Sequence, residues 1–478
     1  MSQTPIKDFI DKYISENGTR LHMPGHKGSF GYARDLTEVA DADSLYEAEG
    51  IILESENKTS ESFGSYHTFY GTEGSSQMIK AMCYLAIKCA GGDNPVFVAT
   101  RNAHKSFINA AMLLGFDIEW VMPEGKYNLC SSDITPEILE KKLKKLQGQQ
   151  TAKNVTAVYV TSPDYLGNIL DIEGLASVAH KFGTILICDN AHGAYFNFVP
   201  QLCKHPISLG ADMCCDSAHK TLPVLTGGAY LHISKTAPEM LRQNYDEIRR
   251  ALLLFGSTSP SYLILESLDM ASERVSTDAY TKCADAVADA KKQLLDTGIT
   301  LTGIEPLKIT FSFDSNESNG TFLFDSNTEN YEINGKTFGE FLRQNNFECE
   351  YIDRDFVVTM WSPFMDYEAD LNRLVGTTQS FMDKYHLPGS SSGASDCNMG
   401  SLPDKVYMPG DKVYKPGDTL YMPHHIEKTG PQILGKIAAD TTISCPPAIN
   451  PIVAGERIDE NILMILQYYG ITEIEILD

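Results

Sequence analysis

Residues 183–223 read GTILICDNAHGAYFNFVPQLCKHPISLGADMCCDSAHKTLP. The unbroken apolar run Ile185 to Cys188 predicts a strand buried on both faces, as in the parallel sheet of an α/β layer. It ends in Asp189, and a lone carboxylate there is costly unless it meets a cation or a metal. The carboxyl ends of such strands are also where open α/β sheets bind ligands. Further on, Ser217, His219 and Lys220 occupy a short polar segment after a second apolar approach and before GGAYLHIS (227–234). Packing gives no reason for a lysine there.

Outward from this stretch, between residues 72 and 232, short runs rich in Val and Ile alternate with amphipathic segments. NPVFVATR (94–101), VTAVYVTSP (155–163), GTILICDNAHG (183–193) and GGAYLHIS predict strands of a largely parallel sheet. SSQMIKAMCYLAIKCA (75–90), AHKSFINAAMLLG (103–115) and IEGLASVAHKFG (172–183) carry helical periodicity. One long helical pattern covers 261–298 and leads through LKITFSF (307–313) into a smaller α+β region ending near Tyr385. HLPGSSSGASDCNMG (386–400) has linker composition, and VYMPGDKVYKPGDTLYMP (406–423) repeats a turn element of an appended domain. The expected division is an N-terminal segment 1–50, a large ligand-binding domain 51–265, a small α+β domain 266–386, a linker 387–400 and a C-terminal domain 401–478.

A chain of 478 residues is too long for one compact core. Its 39 basic and 63 acidic residues, a net charge of −24, argue against nucleic-acid or anionic-membrane partners and suit a cationic substrate. No secretory leader or bilayer-length apolar run is read, and eleven cysteines without a CxxC pair read as reduced thiols, so a cytosolic protein is expected. A metal hydrolase on Asp189 and His192 lacks a third ligand at usable spacing, and no metal is expected.

The constellation points to pyridoxal 5′-phosphate. Lys220 would form the Schiff base. Asp189 would pair with the pyridinium nitrogen and keep the ring an electron acceptor. YGTEGSSQM (70–78) opens a periodic helix with the small and hydroxyl residues a phosphate needs, Gly74, Ser75 and Ser76 among them. His104, in RNAHKS at the next helix start, is placed to stack on the ring, and Ala191 is small enough to let a flat ring lie against the strand.

These motifs give the chain a resemblance to the fold-type I pyridoxal-phosphate enzymes of the ornithine/lysine/arginine decarboxylase group, in the shorter form without an N-terminal receiver-like domain. It rests on LHMPGHKG (21–28), RNAHKS (101–106), SPDYLG (162–167), DNAHGAYF (189–196), DSAHKTLP (216–223), STSPSY (257–262) and CPPAINPIVAGERI (445–458). The resemblance implies an aminotransferase-like large domain with a mainly parallel seven-stranded sheet, a smaller α+β domain and a C-terminal appended domain. It makes Lys220, Asp189 and His104 the Schiff-base, pyridinium and stacking residues. Ser217 and His219 join the phosphate group, His219 also standing near the substrate's Cα, and His192 lies on the substrate side. It implies decarboxylation of arginine, lysine or ornithine by a homodimer or larger assembly, with Ser259 and its neighbours reaching a second subunit's cofactor.

The chain also departs from that group. Glu73 falls in a loop expected to meet a dianion and is expected to point outward or to form a salt bridge. Asp164 stands where Thr is common, either as a carboxylate for the substrate's cation or as a turn residue after Pro163. Tyr46, Cys445 and Ala448 differ near the expected entrance, and Glu456 is a candidate clamp for the distal amine. Two alternatives stay open: a different Cα reaction on the same cofactor, and a catalytically silent regulatory paralogue.

Overall fold

The computed structural model describes residues 3–122, 128–148, 154–313, 333–385, 410–440 and 448–478. The 387–400 linker, Cys445 and the start of the turn repeat lie outside the described residues. After helices α1 (Pro5–Ser15) and α2 (Ile51–Phe63) come β1 (His67–Gly71), α3 (Gly74–Ala90), β2 (Val96–Thr100), α4 (Lys105–Leu114) and β3 (Asp117–Val121). They are followed by α5 (Pro136–Gln147), β4 (Val155–Thr161), α6 (Ile172–Lys181), β5 (Ile185–Asp189), β6 (Met213–Asp216), the short α7 (Ala218–Thr221) and β7 (Ala229–Ile233).

The seven strands form one sheet in the order β1-β7-β6-β5-β4-β2-β3. β3, β2, β4, β5 and β6 run parallel, whereas β7 is antiparallel to both its neighbours. GGAYLHIS is thus a strand, but the reversed one.

Both faces are covered, which explains the apolar runs. Phe97, Tyr159 and Ile187 pack on one face with Met82 and Phe107. Their chain neighbours Val98, Val158 and Leu186 pack on the other with Leu139 and Leu175. Period-two alternation therefore separates two apolar layers. Because β3 lies on one side of β2 and β4 on the other, the winding reverses between β2 and β4, and a crevice opens at their carboxyl ends. His104 follows β2 and Ser162 follows β4.

A second, antiparallel sheet orders β10 (Tyr351–Ile352), β11 (Phe356–Met360), β9 (Lys308–Ser312) and β8 (Thr300–Thr302). A third pairs β12 (His424–Lys428) and β13 (Ala438–Asp440) on either side of β14 (Glu473–Leu477). The helical pattern over 261–298 is three helices, Tyr262–Asp269, Ala271–Arg274 and Thr277–Asp296. Val275 is extended, and the Ser276 hydroxyl caps the third helix by accepting from Ala279 N, so a new start replaces continuation.

Candidate active site

Register brings the chemistry to one edge. Asp189 closes β5 opposite Thr161 of β4 and Cys215 of β6. The Asp189 carboxylate is buried, and it accepts from the Tyr159 hydroxyl at 3.0 Å and from Ala191 N at 3.2 Å.

Ser217, His219 and Lys220 lie on or beside α7, directly after β6. Lys220 Nζ is 2.9 Å from His192 Nε2. Burial, reinforced by the Lys220 and Lys308 ammonium groups, holds the His192 imidazole well below its ordinary range, so it is neutral at neutral pH. Burial also lowers His219, whose Nδ1 lies 2.9 Å from the Gly228 carbonyl. His104 shifts down by burial as well, against the pull of Asp189 and with the push of Lys220. Asp189, Lys220, His104 and His192 thus act on one another across one space.

The start of α3 faces the same space. The Glu73 side chain is exposed and does not cap it, and of the first-turn N–H groups Gly74 N donates to the Gly227 carbonyl at 2.8 Å. Gly74 adopts φ +69°, and a Cβ there would meet only His219 Cε1, at 3.9 Å. The Ser217 hydroxyl donates to Ser75 at 2.9 Å and the Ser106 hydroxyl to Ser76 at 2.9 Å, tying this helix start to α7 and α4. His104 Nδ1 accepts from Ser106 N, so the imidazole is also the N-cap of α4. Buried Thr72 Oγ1 and His192 Nδ1 have no hydrogen-bond partner among the described residues, and a bound group would answer both.

Other candidates lie elsewhere. Both Asp164 oxygens accept from Asn168, from its N at 2.9 Å and its Nδ2 at 3.0 Å, inside a turn. Glu456 is buried against Arg101 at 3.5 Å, Trp120 Nε1 at 3.2 Å and Val453 N at 2.9 Å. Its segment nevertheless adjoins the site, because Ala448 accepts from Lys105 N at 2.7 Å and Ile449 bridges to His104. Ser259 is exposed beside Ser257. Tyr46 accepts from Gln77 Nε2 at 3.1 Å.

Some participants have no local signature in the sequence. Asp216, buried at the end of β6, accepts from Asn190 Nδ2 at 2.7 Å and from the Nε2 atoms of His205 and His232 at 3.0 and 3.1 Å. His232 Nδ1 in turn meets Thr68 Oγ1 at 2.8 Å, and His205 Nδ1 accepts from Ile207 N. Burial works to raise Asp216, but the His205 and His232 imidazoles hold it below the usual carboxylate range. This closed network fixes the chain on either side of the site, since Asn190 follows Asp189 and Ser217 follows Asp216. Asp216→Ala leaves three buried donors without an acceptor and is expected to destabilise the fold by about 3 kcal/mol or more. A urea-denaturation midpoint measures it. Tyr159 did carry a signal, a polar tip inside the mainly apolar strand β4, and Lys308 a weaker one, a cation opening β9.

Comparison with known proteins adds the relationship. Residues 4–334 match the Orn/Lys/Arg decarboxylase major domain. An arginine decarboxylase of Bacillus subtilis is 28% identical over 396 residues, covering 78% of this chain and 76% of the relative. One from Halalkalibacterium halodurans is 26% identical over 481 residues, 96% and 92%. Among solved structures, a Francisella novicida lysine decarboxylase superimposes with a TM-score of 0.77 at 16% identity, covering 99% of this chain and 81% of that one. At that identity the likeness speaks for the fold. No helix among the described residues is long and apolar enough to cross a membrane.

Proposed function

The chain belongs to the Orn/Lys/Arg decarboxylase family, and from that premise we propose that it is a pyridoxal-phosphate-dependent decarboxylase of a basic amino acid. Arginine is the first substrate to test, since the relatives from Bacillus subtilis and Halalkalibacterium halodurans are named for it. The observation that carries the reading is the convergence of Lys220, Asp189 and His104 beside the serine-lined start of α3, which no side chain caps.

The residues fit the cofactor. Ser75, Ser76, Ser217 and the Ser75 and Ser76 N–H groups would hold its phosphate, and the small Gly74 leaves room for it. Asp189 would meet its ring nitrogen, His104 would lie on its face, and Ala191 would line the opposite side. Bound there, the cofactor supplies an electron sink for the bond broken at the substrate's Cα. Lys220 would hold it through its amine, and His192, neutral and 2.9 Å away, would take or return that amine's proton. His219 is also biased to its neutral form, with Nδ1 anchored on Gly228, and would move a proton on the Cα side. The net reaction replaces the carboxylate by a hydrogen: one proton is taken up, CO₂ leaves and the amine is released.

CO₂ release and proton uptake with arginine, lysine and ornithine test the proposal, and release from none of them overturns it. Asp189→Asn keeps the shape and removes the charge. We expect CO₂ release to fall about a hundredfold or more, the scale on which one preorganised electrostatic partner acts.

A homodimer or larger assembly is part of the reading. Leu21, Met23 and Phe30 in the N-terminal segment and Leu253 and Leu254 just before STSPSY are exposed apolar residues that a second copy would cover. The division at 51–265, 266–386 and 401–478 is supported by the three separate sheets.

A further inference from the structure

We propose that Glu350 receives the distal cation of the substrate; this rests on the decarboxylase reading above. From Lys220 one wall of the site runs through His192 to Tyr165, whose ring stands edge-on to the His192 imidazole at 5.0 Å between centroids. At its far end the Tyr165 hydroxyl donates to Glu350 Oε1 at 2.7 Å. Glu350 is half-buried just before β10, and its charge acts on both His219 and Lys308. It therefore stands within electrostatic reach of His219, at the entry to the second sheet.

A basic amino acid held by its α-amino group at the position of the Lys220 amine carries its cation several bonds away, toward the end of this wall. The other acids nearby are already engaged. Asp164 is used within its turn, and Glu456 by Arg101, Trp120 and Val453. Glu305 is fully buried, accepts from Tyr195 through one oxygen and is balanced by the Lys308 and Lys291 ammonium groups, and Asp353 accepts from Tyr351 and the Asp355 and Phe356 amides. Among the described residues, the Glu350 carboxylate accepts one hydrogen bond, through Oε1, while its backbone N–H is tied to the Val358 carbonyl at 2.9 Å, which leaves the second carboxylate oxygen for a guanidinium or ammonium N–H. Lys308 completes the wall by steadying its turn. Its buried ammonium donates to the Asp164 carbonyl at 3.1 Å, holding the loop that carries Tyr165.

The holoenzyme tests this by steady-state CO₂ release from the preferred basic amino acid and from its neutral counterpart, citrulline for arginine, norleucine for lysine or norvaline for ornithine. In Glu350→Gln the Tyr165 bond can persist while the charge is gone. KM for the cationic substrate should rise roughly ten- to a hundredfold, the scale of a charge-assisted hydrogen bond, with kcat much less affected. The preference over the neutral counterpart should collapse, and Glu350→Asp should restore part of it. An active wild type beside a Glu350→Gln enzyme with unchanged KM and preference overturns the Glu350 assignment and leaves the decarboxylase reading standing. A wild type that turns over the neutral counterpart equally well overturns the assignment before any variant is made. A wild type inactive on all three amino acids overturns both.

Discussion

Lys220→Ala is expected to abolish the visible absorption band that the proposed lysine-bound cofactor would give and to lower CO₂ release by on the order of 10³-fold or more, the scale on which removing a covalent catalytic group acts. The cause is chemical, since no other described lysine amine is shown against His192. Lys308, the other buried lysine of the region, is pushed down to about 8 by burial but donates to the Asp164 carbonyl, so it does not substitute. Absorption spectra before and after borohydride, for wild type and variant, check the result. A wild-type band lost on reduction and missing from Lys220→Ala is expected; a band that survives the substitution sinks the assignment of Lys220. The fold should tolerate the change, because α7 is held by Ser217 and by the bond from His219 N to the Gly228 carbonyl, neither of which needs the lysine side chain.

The largest loss of stability is expected from Arg249→Met. Glu56 and Arg249 are both buried, and the guanidinium reaches the carboxylate through two nitrogens, one at 3.0 Å from Oε1. Glu56 Oε1 also accepts from Tyr70 N at 2.8 Å, and Arg249 Nη1 donates to the Leu45 carbonyl at 2.8 Å. The guanidinium lies 4.8 Å from the ring centres of Phe69 and Tyr245. One pair thus joins α2, β1, the helix Tyr245–Leu254 and the segment around Leu45. Removing only the cation strands a buried carboxylate and should cost about 3–5 kcal/mol. Glu56→Gln in the same chain should recover part of the loss.

The pH dependence follows from burial. Desolvation already raises Glu56 above the ordinary glutamate value against the pull of Arg249, and without that pull the rise is larger. An acid whose folded pKa lies above its unfolded value holds more protons in the folded state between the two, so stability falls as pH rises through that window. The Arg249→Met deficit should therefore shrink as pH falls from neutrality toward the ordinary glutamate range. Urea midpoints at a series of pH values measure this, and a pH-independent deficit rules out the stranded carboxylate as its cause.

How much of this was legible in the sequence follows from which physics is local. Strands β2 and β5 are written as short apolar runs, and β4 nearly so, because a strand covered on both faces favours apolar side chains throughout. Ser217, His219 and Lys220 are near in space because they are near in the chain. Asp189 could be singled out because a carboxylate ending such a run is a local anomaly. The reversed direction of β7 was not legible, since burial alone demands the same composition of parallel and antiparallel strands. The break near Val275 was hidden because helical periodicity continues on both sides of it.

By itself, then, the sequence determined the α/β class, the family and the chemically distinctive residues of the sheet's carboxyl edge. Only the tertiary structure decided which acids face the substrate space. Asp164 and Glu456 carry the same carboxylate as Glu350, but the turn at Asn168 engages one and Arg101 the other. Tyr165 and Glu350 are 185 positions apart, and Glu56 and Arg249 are 193. Such meetings leave no mark on local composition or periodicity, because they are set by how packed elements cross.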